Sequence, residues 1–231
     1  MSKDDVLGIA PKLPAPDVVN DHRKLYASFA KSCHELSILI LERLERELGL
    51  PPGTFSERHR INEISSDQSR QIRYDPQPDG DRRTSLVPHT DYGSITMLFN
   101  VLGGLQILPE GKDPERDEWL WVKPAPRCSI VNLGDAMVRF TNGLFKSPLH
   151  RVTYAPGDQA KLTRFSLAYF TRPEDSCLMK VIEGSSHIHK LNDEEDGAVT
   201  AGEWIRTRVR AAQVQKGERA KFPKWATRGL R

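Results

Sequence analysis

At 231 residues and 26.1 kDa the chain is long enough to bury a substantial core, and single β-sandwiches and barrels reach this size without a second domain. Its 38% hydrophobic and 28% charged residues describe a soluble globular protein, and the longest apolar run, residues 36–41, is far too short to span a bilayer. The net charge of +3 lies mostly in the tail, at Lys216, Arg219, Lys221, Lys224, Arg228 and Arg231, which reads as a solvated terminus rather than a nucleic-acid arm.

The chain opens on Met1-Ser2-Lys3-Asp4-Asp5 without an apolar segment, so no secretory signal is read there and a cytoplasmic location is expected. From Asp21 to Leu48, Leu25, Phe29, Cys33, Leu36, Leu39, Ile40, Leu44 and Leu48 recur at spacings of three and four, which predicts an amphipathic helix with these residues on its buried face. Gly49, followed by Pro51 and Pro52, ends it. Residues 52–80 are polar and turn-rich, to be filled by loops or a short helix. After Asp81, β-prone runs follow at residues 85–88, 95–99, 105–108, 119–122, 129–132, 137–140, 151–154 and 164–170, separated by turn signals such as Gly103-Gly104, Asn142-Gly143 and Pro156-Gly157. Such a succession predicts a mainly β protein with flanking helices, an antiparallel sandwich or jelly roll. Past Pro173 the pattern fades until Thr200-Ala201-Gly202-Glu203, a capping box before a final helix carrying Trp204, Ile205, Val209 and Ala212. The expected organisation is one domain over 1–231: a helical region at 1–83, a jelly-roll core at 84–173 and a C-terminal extension at 174–231. Cys33, Cys128 and Cys177 form no C-x-x-C pair and predict neither a disulfide framework nor a zinc site.

His89-Thr90-Asp91 places an imidazole and a carboxylate on one side of an extended chain, and His150, at the opening of a later strand, is the natural third ligand. Two histidines and one carboxylate leave half of an octahedron open, as non-haem Fe(II) oxygenases require. His187 and His189 form a rival pair, but they sit between Gly184-Ser185-Ser186 and the acidic run at 193–196 and read as a solvated loop. Arg164-Phe165-Ser166 is a second i, i+2 pair, a planar fork beside a hydroxyl, suited to gripping a carboxylate. Ala168 and Phe170 share that side of the strand.

The run Pro88-His89-Thr90-Asp91-Tyr92-Gly93-Ser94-Ile95-Thr96, with Gly103-Gly104-Leu105-Gln106, Asn132-Leu133-Gly134-Asp135, Thr141-Asn142-Gly143, Ser147-Pro148-Leu149-His150-Arg151-Val152 and Arg164-Phe165-Ser166, resembles the iron/2-oxoglutarate-dependent dioxygenases of the isopenicillin N synthase-like superfamily over roughly residues 70–173. The resemblance implies a double-stranded β-helix in which His89, Asp91 and His150 hold Fe(II), and Arg164 and Ser166 bind the distal carboxylate of 2-oxoglutarate. Tyr74, in Tyr74-Asp75-Pro76, resembles the tyrosine that assists co-substrate binding, although Asp75 replaces the first proline of the family's pair. Asn132, Gly134, Asp135, Asn142 and Gly143 match turns of the family and are expected to be architectural. The implied reaction consumes O2 and 2-oxoglutarate, releases succinate and CO2, and oxidises a small organic substrate, by hydroxylation or desaturation. An oxidase in which Arg164 and Ser166 grip the substrate itself, and a catalytically silent ligand-binding jelly roll, are the alternatives. Relatives carry a further N-terminal segment that pairs with the core sheet, so the chain resembles a shortened product, with self-association through a bare sheet edge as an expectation.

Overall fold

The computed structural model describes residues 1–77, 84–189, 199–214, 216–219 and 221–222. Short helices α1 (Lys3–Val6) and α2 (Asp17–Asp21) lead into the long helix α3 (Arg23–Glu47). Eight strands follow: β1 (Gln68–Tyr74), β2 (Leu86–His89), β3 (Ile95–Asn100), β4 (Leu105–Leu108), β5 (Leu120–Trp121), β6 (Ile130–Leu133), β7 (Leu149–Val152) and β8 (Arg164–Thr171). Helix α4 (Asp135–Phe140) lies between β6 and β7, and α5 (Ala201–Gln213) and α6 (Lys216–Arg219) follow β8. The strands form two four-stranded sheets of order β1-β8-β3-β6 and β2-β7-β4-β5, with antiparallel pairing throughout. This is the expected jelly roll.

Helix α3 ends as its sequence predicts. Gly49 takes φ +64°, and the amides of Gly49 and Leu50 return to the carbonyls of Arg46 and Glu45 at 3.0 and 2.9 Å, which satisfies carbonyls the last turn leaves open. Its buried face differs from the expected one. Ala30, Cys33, His34, Ser37, Leu41 and Glu45 are buried, whereas Leu25, Leu36 and Leu39 are 65%, 50% and 48% exposed. The reason is that the polar members of the stripe have partners. Ser37 Oγ donates to Cys33 O at 2.9 Å and meets Thr171 Oγ1 at 2.7 Å. The Glu45 carboxylate accepts from the amides of Gly53 (2.9 Å), Phe55 and Ser56 (2.7 Å).

Two other elements depart from expectation. The β-prone run at 137–140 lies within helix α4, where Ala136, Met137, Val138 and Phe140 are all buried, and a helix buried all round carries no periodicity to distinguish it from a core strand. Conversely, β1 arises in the polar stretch assigned to the helical region, so the sheet extends beyond residues 84–173. Only Ser69 of its seven residues is buried, and it is specified by unbroken register with β8, from Gln68↔Phe170 to Tyr74↔Arg164. Residues near the start cover part of its edge, through the Ser2↔Gln68 bridge and Ser69 N donating to Met1 O at 2.8 Å.

The main core lies between the outer face of the β1-β8-β3-β6 sheet and the helices, joining Cys33, Leu41, Met97, Tyr169, Phe140 and Trp204. Thr200 caps α5 by accepting from Glu203 N at 3.3 Å, as the capping box predicts. Arg208 is buried, whereas Val209, one of the apolar residues read on this helix, is 39% exposed. No helix among the described residues is long and apolar enough to cross a membrane. Of the basic tail, Lys224, Arg228 and Arg231 lie outside the described residues, as does the acidic run at 193–196.

Glu45→Ala would leave three amides without their acceptor, a loss of about 2–4 kcal/mol. Urea unfolding of the metal-free chain is expected to show it, with Glu45→Gln, which keeps one acceptor oxygen, losing less.

Candidate metal and co-substrate site

His89, the last residue of β2, is paired across the sheet with His150 of β7, and their ring centroids are 4.3 Å apart. Asp91 follows two residues later, in the connection that carries the chain from one sheet to the other. Its Oδ1 lies 4.0 Å from His89 Nε2 and 3.8 Å from His150 Nε2. These three are the one group of potential metal ligands found among the described residues, with ligand atoms all within 4.8 Å of one another. Each imidazole is oriented by the carbonyl two residues before it. His89 Nδ1 donates to Val87 O at 2.9 Å and His150 Nδ1 to Pro148 O at 3.1 Å. A carbonyl can only accept, so Nδ1 carries the proton and the Nε2 lone pairs are left facing Asp91, the arrangement a metal-binding histidine needs.

The electrostatics agree with that use. Burial, the neighbouring His150 and the charge of Arg70 hold the His89 pKa below the usual imidazole range, outweighing the Val87 carbonyl and Asp91. Neutral imidazole is the ligating form. Burial by itself would raise the Asp91 pKa, but His150, hydrogen bonds from Asn132 and Thr96, and His89 together hold it low. Asn132 Nδ2 donates to Asp91 Oδ2 at 2.9 Å, so this asparagine, expected to be architectural, directly supports the carboxylate.

Arg164, Ser166 and Tyr74 come together as their sequence positions imply. Tyr74 stands opposite Arg164 in the β1–β8 register, its ring 5.0 Å from the guanidinium carbon. Arg164 is 4% exposed, its Nε donates to Gly103 O at 2.7 Å, and both Nη atoms are buried without a hydrogen-bond partner. Burial lowers its pKa against the charge of the Tyr74 hydroxyl and its approach to the fork, an approach too poorly aligned to count as a hydrogen bond to either Nη, and guanidinium stays charged in proteins. A buried, charged fork with two idle donors is costly unless an anion completes it. Strand alternation puts Arg164, Ser166, Ala168 and Phe170 on one face; Thr96, opposite Phe170, bonds Asp91, so that face is the one lining the triad. His187 and His189 are exposed and apart from this site.

The metal loop is itself held by residues whose role the sequence did not reveal. Successive amides at the start of α4 donate to its carbonyls: Gly134 N to Ser94 O (3.0 Å), Asp135 N to Asp91 O (2.8 Å) and Ala136 N to Gly93 O (3.1 Å). The Asp135 carboxylate accepts from Thr90 Oγ1 at 2.9 Å and from the guanidinium of Arg208, which is fully buried and stacks on Tyr92 with 4.5 Å to the ring centroid. Helix α5 thus reaches, through Asp135, the residue between two of the ligands. From the other side His59, buried at 2% exposure, donates from Nδ1 to Phe55 O and accepts at Nε2 from Ser94 Oγ, each at 2.7 Å. These polar residues share no short-range pattern; the only advance signal is Asp135 within the Asn-x-Gly-Asp turn.

Thr90→Val keeps the shape of the side chain and removes its bond to Asp135. Anaerobic Fe(II) titration is expected to show metal affinity falling about tenfold, the usual size of an outer-shell loss, with little change in thermal stability. A second expectation concerns His59, whose pKa burial pushes down to about 4. Because the folded value lies below the unfolded one of about 6.5, the neutral form stabilises the fold fully above that range and progressively less as pH falls towards 4. Between pH 7 and pH 5 this amounts to about 2 kcal/mol for the metal-free chain. Urea unfolding of the His59→Gln variant should lack that share of the loss.

A family model described as the 2OG-Fe(II) oxygenase superfamily matches residues 65–173, the stretch that holds all eight strands, the triad, Tyr74, Arg164 and Ser166. A 2-oxoglutarate-dependent dioxygenase of Aspergillus fumigatus is 35% identical over 207 residues, covering 82% of this chain and 54% of that protein. One from Amanita muscaria is 33% identical over 172 residues, covering 73% of this chain and 81% of its own length. The chain spans about half the length of the first curated relatives it matches. The full-length Neurospora crassa protein crystallised with alpha-KG and 5-formyluracil shares the fold at a TM-score of 0.71 and 24% identity, covering 87% of this chain and 63% of that one. With that degree of identity to the Amanita protein over most of its length, and the family's motifs folded onto a jelly roll, the chain belongs to the 2OG-Fe(II) oxygenase superfamily.

Proposed function

We propose that this chain carries out Fe(II)- and 2-oxoglutarate-dependent oxidation of a small organic substrate, by hydroxylation or desaturation, with release of succinate and CO2. The observation that carries the reading is the pair of idle Arg164 Nη donors, buried on the face that lines the His89-Asp91-His150 triad. Metal with O2 and 2-oxoglutarate supplies the oxidation. The protein's part is positional. His89 and His150 present neutral Nε2 atoms, and Asn132 and Thr96 keep Asp91 ionised between them. Arg164 and Ser166, with Tyr74 above the guanidinium, hold the far carboxylate of the co-substrate, so that its other end is directed at the metal. In an oxidase that does not use 2-oxoglutarate, the same anchor would hold the substrate.

Succinate formation with Fe(II), 2-oxoglutarate and ascorbate tests the reading, alongside binding titrations. Asp91→Ala and His150→Ala are expected to remove Fe(II) binding and turnover while the chain stays folded. Arg164→Ala should keep the metal and lose 2-oxoglutarate affinity by about 2–5 kcal/mol, the cost of deleting one partner of a desolvated charge pair. Unchanged dependence on 2-oxoglutarate in Arg164→Ala would overturn the assignment in favour of the oxidase.

A further inference from the structure

A second guanidinium occupies the face that lines the metal site. In the β1–β8 register Tyr74 stands opposite Arg164, Ile72 opposite Ser166 and Arg70 opposite Ala168, so alternation directs Arg70 to the same side as the co-substrate anchor. Its guanidinium carbon lies over the ring of Phe170, 5.6 Å from the centroid. Phe170 in turn is paired with Thr96, which bonds Asp91. Arg70, Phe170 and Thr96 thus share the inner face that also faces Asp91, and the His89 pKa, lowered first by burial, takes a minor contribution from the charge of Arg70.

Arg70 is also uncommitted. It is exposed, and among the described residues its side chain makes neither a hydrogen bond nor an ion pair; the ring of Phe170 is its one contact of these kinds. Arg172 shows the contrast. It approaches the same ring, at 5.7 Å, but is tied by Nη1 to Ser66 O at 2.6 Å and has Asp67 as the first charge opposing its burial. Arg172 is thus half-buried and held to the fold through Nη1, with its Nε left unpaired, whereas the Arg70 guanidinium is exposed and has no polar partner among the described residues. Nor does 2-oxoglutarate use it in the reading above. Four residues of strand, about 13 Å, separate Arg70 from Tyr74, and the co-substrate's two carboxylates are both taken, one by Arg164 and the other by the metal.

We propose that Arg70 is the anchor for a carboxylate on the prime substrate, and that the substrate is therefore a carboxylic acid whose apolar body lies on Phe170. A single unpaired guanidinium balances one negative charge, and its planar fork fits a carboxylate through two parallel hydrogen bonds. Phe170, Ala168 and Leu98 share the inward face and are half-buried, which gives an apolar body a place to rest next to the charge. The inference rests on the oxygenase reading for its account of the other anion, and it makes Arg70 a specificity residue, separate from the metal ligands and from Arg164.

The test uses matched pairs of acid and primary amide with phenyl, indolyl, cyclohexyl and linear alkyl bodies, titrated calorimetrically into the full chain under anaerobic conditions, with and without Fe(II) and 2-oxoglutarate. For at least one pair the acid is expected to bind about tenfold more tightly than its amide, a preference worth about 1.4 kcal/mol. Arg70→Met should abolish that preference while leaving 2-oxoglutarate affinity unchanged, and Arg70→Lys should restore part of it. Absence of acid preference in every pair, or its survival in Arg70→Met, overturns the proposal. A chain that fails to bind 2-oxoglutarate in the same titrations overturns the oxygenase reading instead, and the acid–amide comparison without metal still reads Arg70.

Discussion

The turn before helix α4 and the loop that carries Asp91 lie against each other with no room for a side chain between them. A Cβ at Gly134 would stand 2.2 Å from Gly93 O and 2.9 Å from Asp91 O, and one at Gly93 would stand 2.6 Å from Thr171 O. Contacts that short do not occur between real atoms, so both positions are glycine for lack of space. That close approach is what lets three amides at the start of α4 reach the loop's carbonyls, and what brings the Asp135 carboxylate under Thr90. The position of Asp91 relative to His89 and His150 follows from it. Any larger residue at 134 would push the loop away from the histidines, which are fixed independently by β2 and β7.

The charge beneath this turn makes the arrangement specific more than it makes it stable. Asp135 and Arg208 are almost wholly out of water, and an isolated buried ion pair recovers little beyond its own desolvation. Asp135, however, also serves Thr90, and Arg208 also covers Tyr92. Any slip of α5 or of the turn would strand a charge in the core at a cost of about 3–5 kcal/mol. A cluster of this kind selects one relative placement of the C-terminal helix, the turn and the metal loop. His59 and Ser94 make a lesser version of the same device, with a neutral imidazole that burial keeps unprotonated.

What was legible in the sequence reflects where the information sits. β3, β4 and β8 announce themselves because their own side chains alternate between a packed face and the space between the sheets. β1 does not: apart from Ile72 and Tyr74 its residues are polar, and it is a strand because β8 lies beside it. Helix α3 was legible as a helix, but its buried side was misread, since Ser37, His34 and Glu45 count as polar in any hydropathy pattern and their partners lie in distant segments. The site divides in the same way. His89, Asp91, His150, Arg164 and Ser166 could be picked out as candidates because metal and carboxylate binding would restrict residue type and local spacing. Thr90, Asn132, His59 and Arg208 could not, because hydrogen-bonding roles accept many residue types and their contacts span 45, 41, 35 and 73 residues respectively.

The site is also shared between layers. His89 and His150 belong to the β2-β7-β4-β5 sheet, whereas Thr96, Asn132, Arg164, Ser166 and Arg70 belong to the β1-β8-β3-β6 sheet, and Asp91 sits on the connection between them. A metal held by all three ligands therefore bridges the two sheets. Its binding free energy becomes part of the energy that sets their separation. The hydrogen bonds at Nδ1 fix the histidines to their own strands, and those at Asp91 fix the carboxylate to the opposite sheet, so neither side can adjust to the ion without moving a strand. Geometry at the metal and packing between the sheets are consequently one constraint. The Arg164 and Arg70 guanidinium groups stand on the sheet that contributes no histidine, so any anion bound to them would be registered against the metal by the same inter-sheet packing that assembles the triad.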